Sequence, residues 1–128
     1  MSSELLALAA SGALCLALPF GYVPLYAKQV GMPVLSGNRE DAPPPTGAAG
    51  RGLRAHRNLI ENLVPFAIAV LAARAMGVSN GLTAAGAWIF LGARVVHAVS
   101  YFAGITGIRT LAFFASAVGT ILILSQLV

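Results

Sequence analysis

The run Arg51-Gly52-Leu53-Arg54-Ala55-His56-Arg57-Asn58-Leu59-Ile60-Glu61 leads into a stretch, Leu63 to Ala73, whose composition suits lipid. Guanidinium groups bind carboxylates and phosphates bidentately. Arg54, Asn58 and Glu61 fall at i, i+4 and i+7, and Arg57 reaches Glu61 at i+4, so one helical face carries them. Ionisable groups at membrane depth are costly and face a polar cavity or each other, which makes the run a candidate functional site.

A second stripe lies further along the chain. Arg94, His97 and Tyr101 are spaced i, i+3 and i+7 inside another apolar segment, and Arg109 opens the segment after it. If the helices alternate in direction, Arg94 lies about 15 Å from the Gly104 end of its helix, and Glu61 about 10 Å beyond Arg54. Both stripes then occupy the same half of a bilayer and meet in one cavity. There Arg54, Arg57, Arg94 and Arg109 face only Glu61, an excess of three positive charges. Unpaired buried charge costs several kcal/mol, so the excess predicts an anionic ligand. Glu61, beside Asn58, either receives a ligand ammonium or holds an arginine in place. Snorkelling arginines with a structural Arg57–Glu61 pair would account for single residues, but poorly for the constellation. His97 has no second His or Cys at ligand spacing, so no metal site is expected. Tyr101 is a cavity residue or an interface-belt aromatic. Pro65 is expected to kink its helix and free a carbonyl near the cavity. His56 flanks the stripe on another face, with no role assigned.

The elements that position these groups are membrane helices. Of 128 residues, 58% are hydrophobic and 9% charged, where a soluble domain carries about 25% charged. Four apolar segments, at about 5–26, 56–76, 82–103 and 108–127, are each near the ~20 residues needed to cross the hydrocarbon. Helices are the only option for such spans, since isolated strands would leave unpaired edges in lipid. The first lacks a basic leader and is too long for a signal peptide, so it reads as a retained span. Short turns at 77–80 and 104–107 and a polar loop at 28–53 predict one all-α, up-down four-helix bundle. Lys28, Arg39, Arg51, Arg54, Arg57 and Arg109 cluster at the loop side against Arg74 alone at the other, which puts the loop in the cytoplasm. The net charge of +4 is explained by these span-end arginines, and no nucleic-acid partner is expected. Cys15 is a small apolar residue without a disulfide partner. Ala9, Ala13 and Ala17, Ala69 with Ala73, and Ala112 with Ala115 and Ser116 provide small-residue contacts. One protomer has little interior to shelter the polar groups, which argues for a homo-oligomer with its site at a protomer boundary.

At these residues the sequence resembles the MAPEG family, the membrane-associated proteins of eicosanoid and glutathione metabolism. The resemblance rests on Arg51-x-x-Arg54-Ala55-His56-Arg57-Asn58-x-x-Glu61-x-x-x-Pro65-Phe66, on Arg94-x-x-His97-x-x-x-Tyr101, and on Arg109-Thr110. Span count and loop pattern extend it over the chain, closest in shape to small bacterial members. It implies a homotrimer in a bacterial inner membrane, with glutathione bound as cosubstrate between protomers near the cytoplasmic face. Arg51, Arg54, Arg57, Asn58 and Glu61 would hold the tripeptide's carboxylates and amine, and Arg94, His97 and Tyr101 would complete the pocket. Arg109 would be the catalytic residue, stabilising the thiolate for attack on a lipophilic small molecule arriving from the bilayer lipids. Thr110 stands where the prostaglandin-forming synthase has serine, which speaks against isomerase chemistry. Lys28 and Asp41 are weaker candidates for site residues. The implied activity is that of a glutathione transferase or peroxidase acting in detoxification. The alternatives are a non-catalytic lipid- or glutathione-binding scaffold of the same fold, and a four-span drug exporter using Glu61, which the arginine excess disfavours.

Overall fold

Five helices make up the chain in the computed structural model, which describes residues 2–128: α1 (Ser3–Val30), α2 (Met32–Ser36), α3 (Gly47–Ala75), α4 (Gly81–Ala103) and α5 (Thr106–Leu124). All but the short α2 are long and apolar enough to cross a membrane. They alternate in direction, so the 31–46 connection and the α4–α5 turn share one end of the bundle, here called the loop end. Residues 2–4, 76–80 and 125–128 mark the terminal end. α3 and α4 occupy the middle, each touching all the other long helices, while α1 and α5 do not meet.

Local signals set most of the boundaries. Asn80 caps α4 by accepting from the Leu82 and Thr83 amides, and the Thr83 side chain accepts from the Asn80 amide in return, a reciprocal arrangement that satisfies otherwise orphaned donors. Gly104 ends the same helix at φ 77°, a left-handed conformation that glycine adopts without steric cost.

The expected loop at 28–53 is shorter than its composition suggests. α1 continues to Val30, α2 occupies 32–36, and α3 already begins at Gly47. Gly50 and Gly52 lower helix propensity in the 47–53 segment, yet packing requires them. A Cβ on Gly52 would fall 2.5 Å from the Phe102 ring and 2.6 Å from the Tyr22 Cβ. Docking against α1 and α4 therefore outweighs the local preference for coil. α3 also runs unbroken through Pro65, whose missing N–H removes the donor that would have met the Glu61 carbonyl.

The interior is built from small side chains. In the terminal half, Ala7, Ala69, Ala73 and Ala87 surround the rings of Phe66 and Phe90, which stack with centroids 3.8 Å apart. Ala69, Ala73, Ala112 and Ser116 are buried as their spacing predicts, but Ala9, Ala13 and Ala17 face outward. α1 instead turns Glu4, Ala7, Ser11 and Leu18 inward. α4 and α5 approach most closely at Gly86 and Gly119, where a Cβ on either would lie 2.5 Å from the other's carbonyl oxygen. Gly119→Val is therefore expected to destabilise the bundle by about 1–3 kcal/mol through overpacking. Gly12→Ala, with nothing within 4 Å of the added Cβ, should be neutral or slightly stabilising, because glycine weakens a helix interior. Thermal unfolding of both variants in the same detergent checks the contrast.

At the terminal end, the buried Glu4 carboxylate ties three elements together. It accepts from the hydroxyls of Ser2, of Ser79 at 2.9 Å and of Thr83 at 2.6 Å. Nearby, the Trp88 indole N–H donates to the Ser3 hydroxyl at 2.7 Å. The bonds to the Glu4 carboxylate are charge-assisted and so among the stronger ones a side chain makes.

Candidate functional site

At the loop half, α3, α4 and α5 border an open cavity of about 260 Å³. Asn58 comes from α3, His97 and Tyr101 from α4, and Arg109 and Thr110 from α5, with Phe113 and Phe114 as an apolar wall. The two stripes meet because antiparallel α3 and α4 place residues 58 and 94 at equal depth. The Arg94 Nη2 donates to Asn58 Oδ1 at 2.7 Å. An arginine only donates, so this contact assigns the Asn58 oxygen to Arg94 and leaves the Asn58 amide N–H groups for the cavity. Asn62 supports the arrangement by donating to the Asn58 carbonyl at 2.8 Å and to Oδ1 at 3.4 Å.

Arg94 is 1% exposed. Beyond Asn58 it makes one long contact, 3.4 Å to His97 Nδ1, so Nδ1 is the acceptor and Nε2 carries the ring proton. Among the described residues its Nε and Nη1 have no hydrogen-bond partner. A buried guanidinium with unmet donors is costly, and an anion nearby would lower that cost. His97 in turn packs edge-on against Tyr101, centroids 5.4 Å apart.

Tyr101 carries the rest of the charge. The Arg109 guanidinium carbon lies 4.3 Å from its ring centroid, and that of Arg54 lies 5.9 Å away, both within cation–π range. Arg109 sits in the first turn of α5, where the helix dipole disfavours a cation. That helix has no side-chain cap at Ile105, so its free amides add to the positive potential. A sequence chosen for stability would place a carboxylate there. Among the described residues no carboxylate lines the cavity.

The structure thus brings Asn58, Arg94, His97, Tyr101 and Arg109 together, with Arg54 at their edge. Arg57 and Glu61 are exposed, outside the cavity lining, and do not pair with each other. Arginine N-terminal to glutamate is the less favourable order for an i, i+4 pair. Arg51 also turns away, its Nε donating to the Phe102 carbonyl at 3.0 Å. Lys28 and Asp41 are exposed and outside the cavity lining.

Other polar contacts were not apparent from spacing. His56 Nδ1 is 3.0 Å from the Tyr22 hydroxyl, which joins α1 to α3 across 34 positions. Asn62, Thr110, Phe113 and Phe114 also belong to the cavity or its support. Asn62 follows Asn58 by one helical turn and could have been found by that spacing. The phenylalanines are indistinguishable from ordinary lipid-facing residues.

Comparison with curated proteins and with solved structures returned no match. A family model matches residues 5–128, nearly the whole chain. With four helices able to span a membrane, the chain is an integral multi-pass membrane protein of the glutathione- and eicosanoid-related kind, and it belongs to the MAPEG family.

Proposed function

We propose that this protein is a glutathione-dependent membrane transferase or peroxidase that activates the glutathione thiol for attack on lipophilic electrophiles. The observation that carries the reading is a cavity without carboxylates in which Arg109 stands over Tyr101 beside the half-satisfied Arg94. Glutathione brings two carboxylates, an ammonium group and a thiol. Its carboxylates suit Arg54 and Arg94, and the Asn58 amide donates to an acceptor. The thiol lies near Arg109, whose charge favours the thiolate. A lipophilic electrophile reaches it along the wall of Phe113 and Phe114.

Arg57 and Glu61 enter this reading through a second protomer. Both are exposed on the same helix as Asn58, where a neighbouring copy in a homotrimer would close the site and Glu61 would take the ligand ammonium. The outward stripe of Ala9, Ala13 and Ala17 supplies small residues for such a contact. The loop end faces the cytoplasm in this proposal, in keeping with its arginines.

The test is purified protein with glutathione and 1-chloro-2,4-dinitrobenzene. Conjugation above the uncatalysed rate is expected, and Arg54→Ala or Glu61→Ala should weaken glutathione binding about tenfold or more, the loss of a hydrogen-bonded charge. Binding without conjugation would leave a non-catalytic binder. Unchanged binding in both variants would reject the pocket.

A further inference from the structure

A second concavity lies on the other side of α4. Leu14, Leu18 and Gly21 of α1 and Val95, Val99 and Phe102 of α4 border a groove of about 530 Å³ with a wholly apolar lining. It is distinct from the charged cavity. Residues 95, 98 and 102 follow 94, 97 and 101 by one position, about 100° round the helix. It is open to the outside, with Val95 and Val99 43% and 64% exposed.

The groove's length and its end are informative. From Leu14 to Gly21 and from Val95 to Phe102 it runs for about 10 Å, in the loop half of the bundle. One leaflet of a bilayer is about 15 Å of hydrocarbon deep, so the groove lies within a single leaflet. At the loop end it reaches Ala103. Next along the chain is Gly104, and a Cβ there would lie 3.6 Å from Arg51 Nε. Arg51 uses that Nε on the Phe102 carbonyl, which leaves its Nη donors for another partner. Along α1, the stripe Leu14, Leu18, Gly21 continues by heptad spacing to Lys28, about 10 Å beyond Gly21 and exposed. An apolar channel lying within one leaflet, with two cations beyond its loop end, is complementary to one class of molecule.

We propose that the α1–α4 groove binds an anionic phospholipid, one acyl chain lying along Leu14, Leu18, Val95 and Val99 and the phosphate meeting Arg51 and Lys28. The apolar lining alone would accept any lipid. The two cations select the headgroup, each contributing the attraction of a basic residue near an anionic lipid surface. This assigns Arg51 a ligand outside the charged cavity and does not depend on the glutathione reading.

Native mass spectrometry of the purified protein titrated with phosphatidylglycerol or phosphatidylcholine tests this. Phosphatidylglycerol is expected to bind preferentially, and Lys28→Gln and Arg51→Gln should each reduce that preference about fivefold. Val99→Trp, which fills the groove, should reduce retention of both lipids. Equal binding of the two lipids by the wild-type chain would overturn the headgroup assignment, and unchanged retention in Val99→Trp would overturn the groove. Efficient disulfide cross-linking of Val99→Cys chains in membranes would show that a second copy covers the face, and would also overturn the proposal.

Discussion

Arg109→Ala is expected to keep glutathione bound but to abolish the ultraviolet thiolate band of the complex. A thiol with a pKa of about 8.5 is only a few per cent ionised at neutral pH. In the proposed function the neighbouring charge of Arg109 would shift the bound thiol toward the thiolate, assisted by the uncapped N-terminus of α5. In the same proposal the carboxylate contacts lie elsewhere, on Arg54 and Arg94, so affinity should change little. Turnover should fall on the order of a hundredfold, the usual loss when one preorganised electrostatic group is removed. The pH dependence gives an internal check. If the bound thiol of the wild-type complex is ionised at neutral pH, as proposed, its rate should be flat there. The variant's rate should climb as pH rises through the ordinary thiol range, and the two curves should converge above it. Arg109→Lys should be intermediate, because an ammonium restores charge but not the planar contact with Tyr101. A full thiolate band in Arg109→Ala would end the case for this residue as the activator.

Arg94→Met should move stability and ligand affinity in opposite directions. The wild-type guanidinium is 1% exposed and leaves Nε and Nη1 without partners. Replacing a poorly compensated buried charge by an apolar side chain of similar length is often neutral or stabilising by about 1–4 kcal/mol. The Asn58 oxygen retains its contact from Asn62, which limits the damage. Without glutathione the variant should therefore unfold at an equal or higher temperature than the wild type. Glutathione affinity should fall about tenfold or more, because the ligand loses a charged partner and Asn58 loses its orienting donor. Isothermal titration and thermal unfolding on the same preparations separate the two effects. A lower unfolding temperature with unchanged affinity would assign Arg94 a purely structural role.

The meeting of the two stripes was legible because charge is rare in this chain and helical spacing is regular. Asn58, Arg94, His97, Tyr101 and Arg109 could be placed at one depth from the span directions alone. Which side chains on the α3 face turn inward was not legible. That depends on the rotation of α3 against its neighbours, and it leaves Arg57 and Glu61 outside the lining and draws Arg51 to the Phe102 carbonyl. The His56–Tyr22 contact eluded spacing for a related reason, since its partners lie 34 positions apart. Glycines misled in both directions. Gly50 and Gly52 read as loop but begin a helix, and Gly86 and Gly119 gave no hint of the closest α4–α5 approach. In each case the backbone's neighbour decides, and that neighbour is distant in sequence. Glu4 carries no spacing signal in the sequence, although three hydroxyl groups converge on it.

The Glu4 clamp has a mechanical consequence. With the stacked phenylalanines and the mutually fitted glycines, it makes the terminal half of the bundle the stiff half. The donors left unmet, the uncapped helix start and both concavities lie toward the other end. Hydrogen exchange on ligand binding is therefore expected to slow in the loop half and to stay unchanged around Glu4.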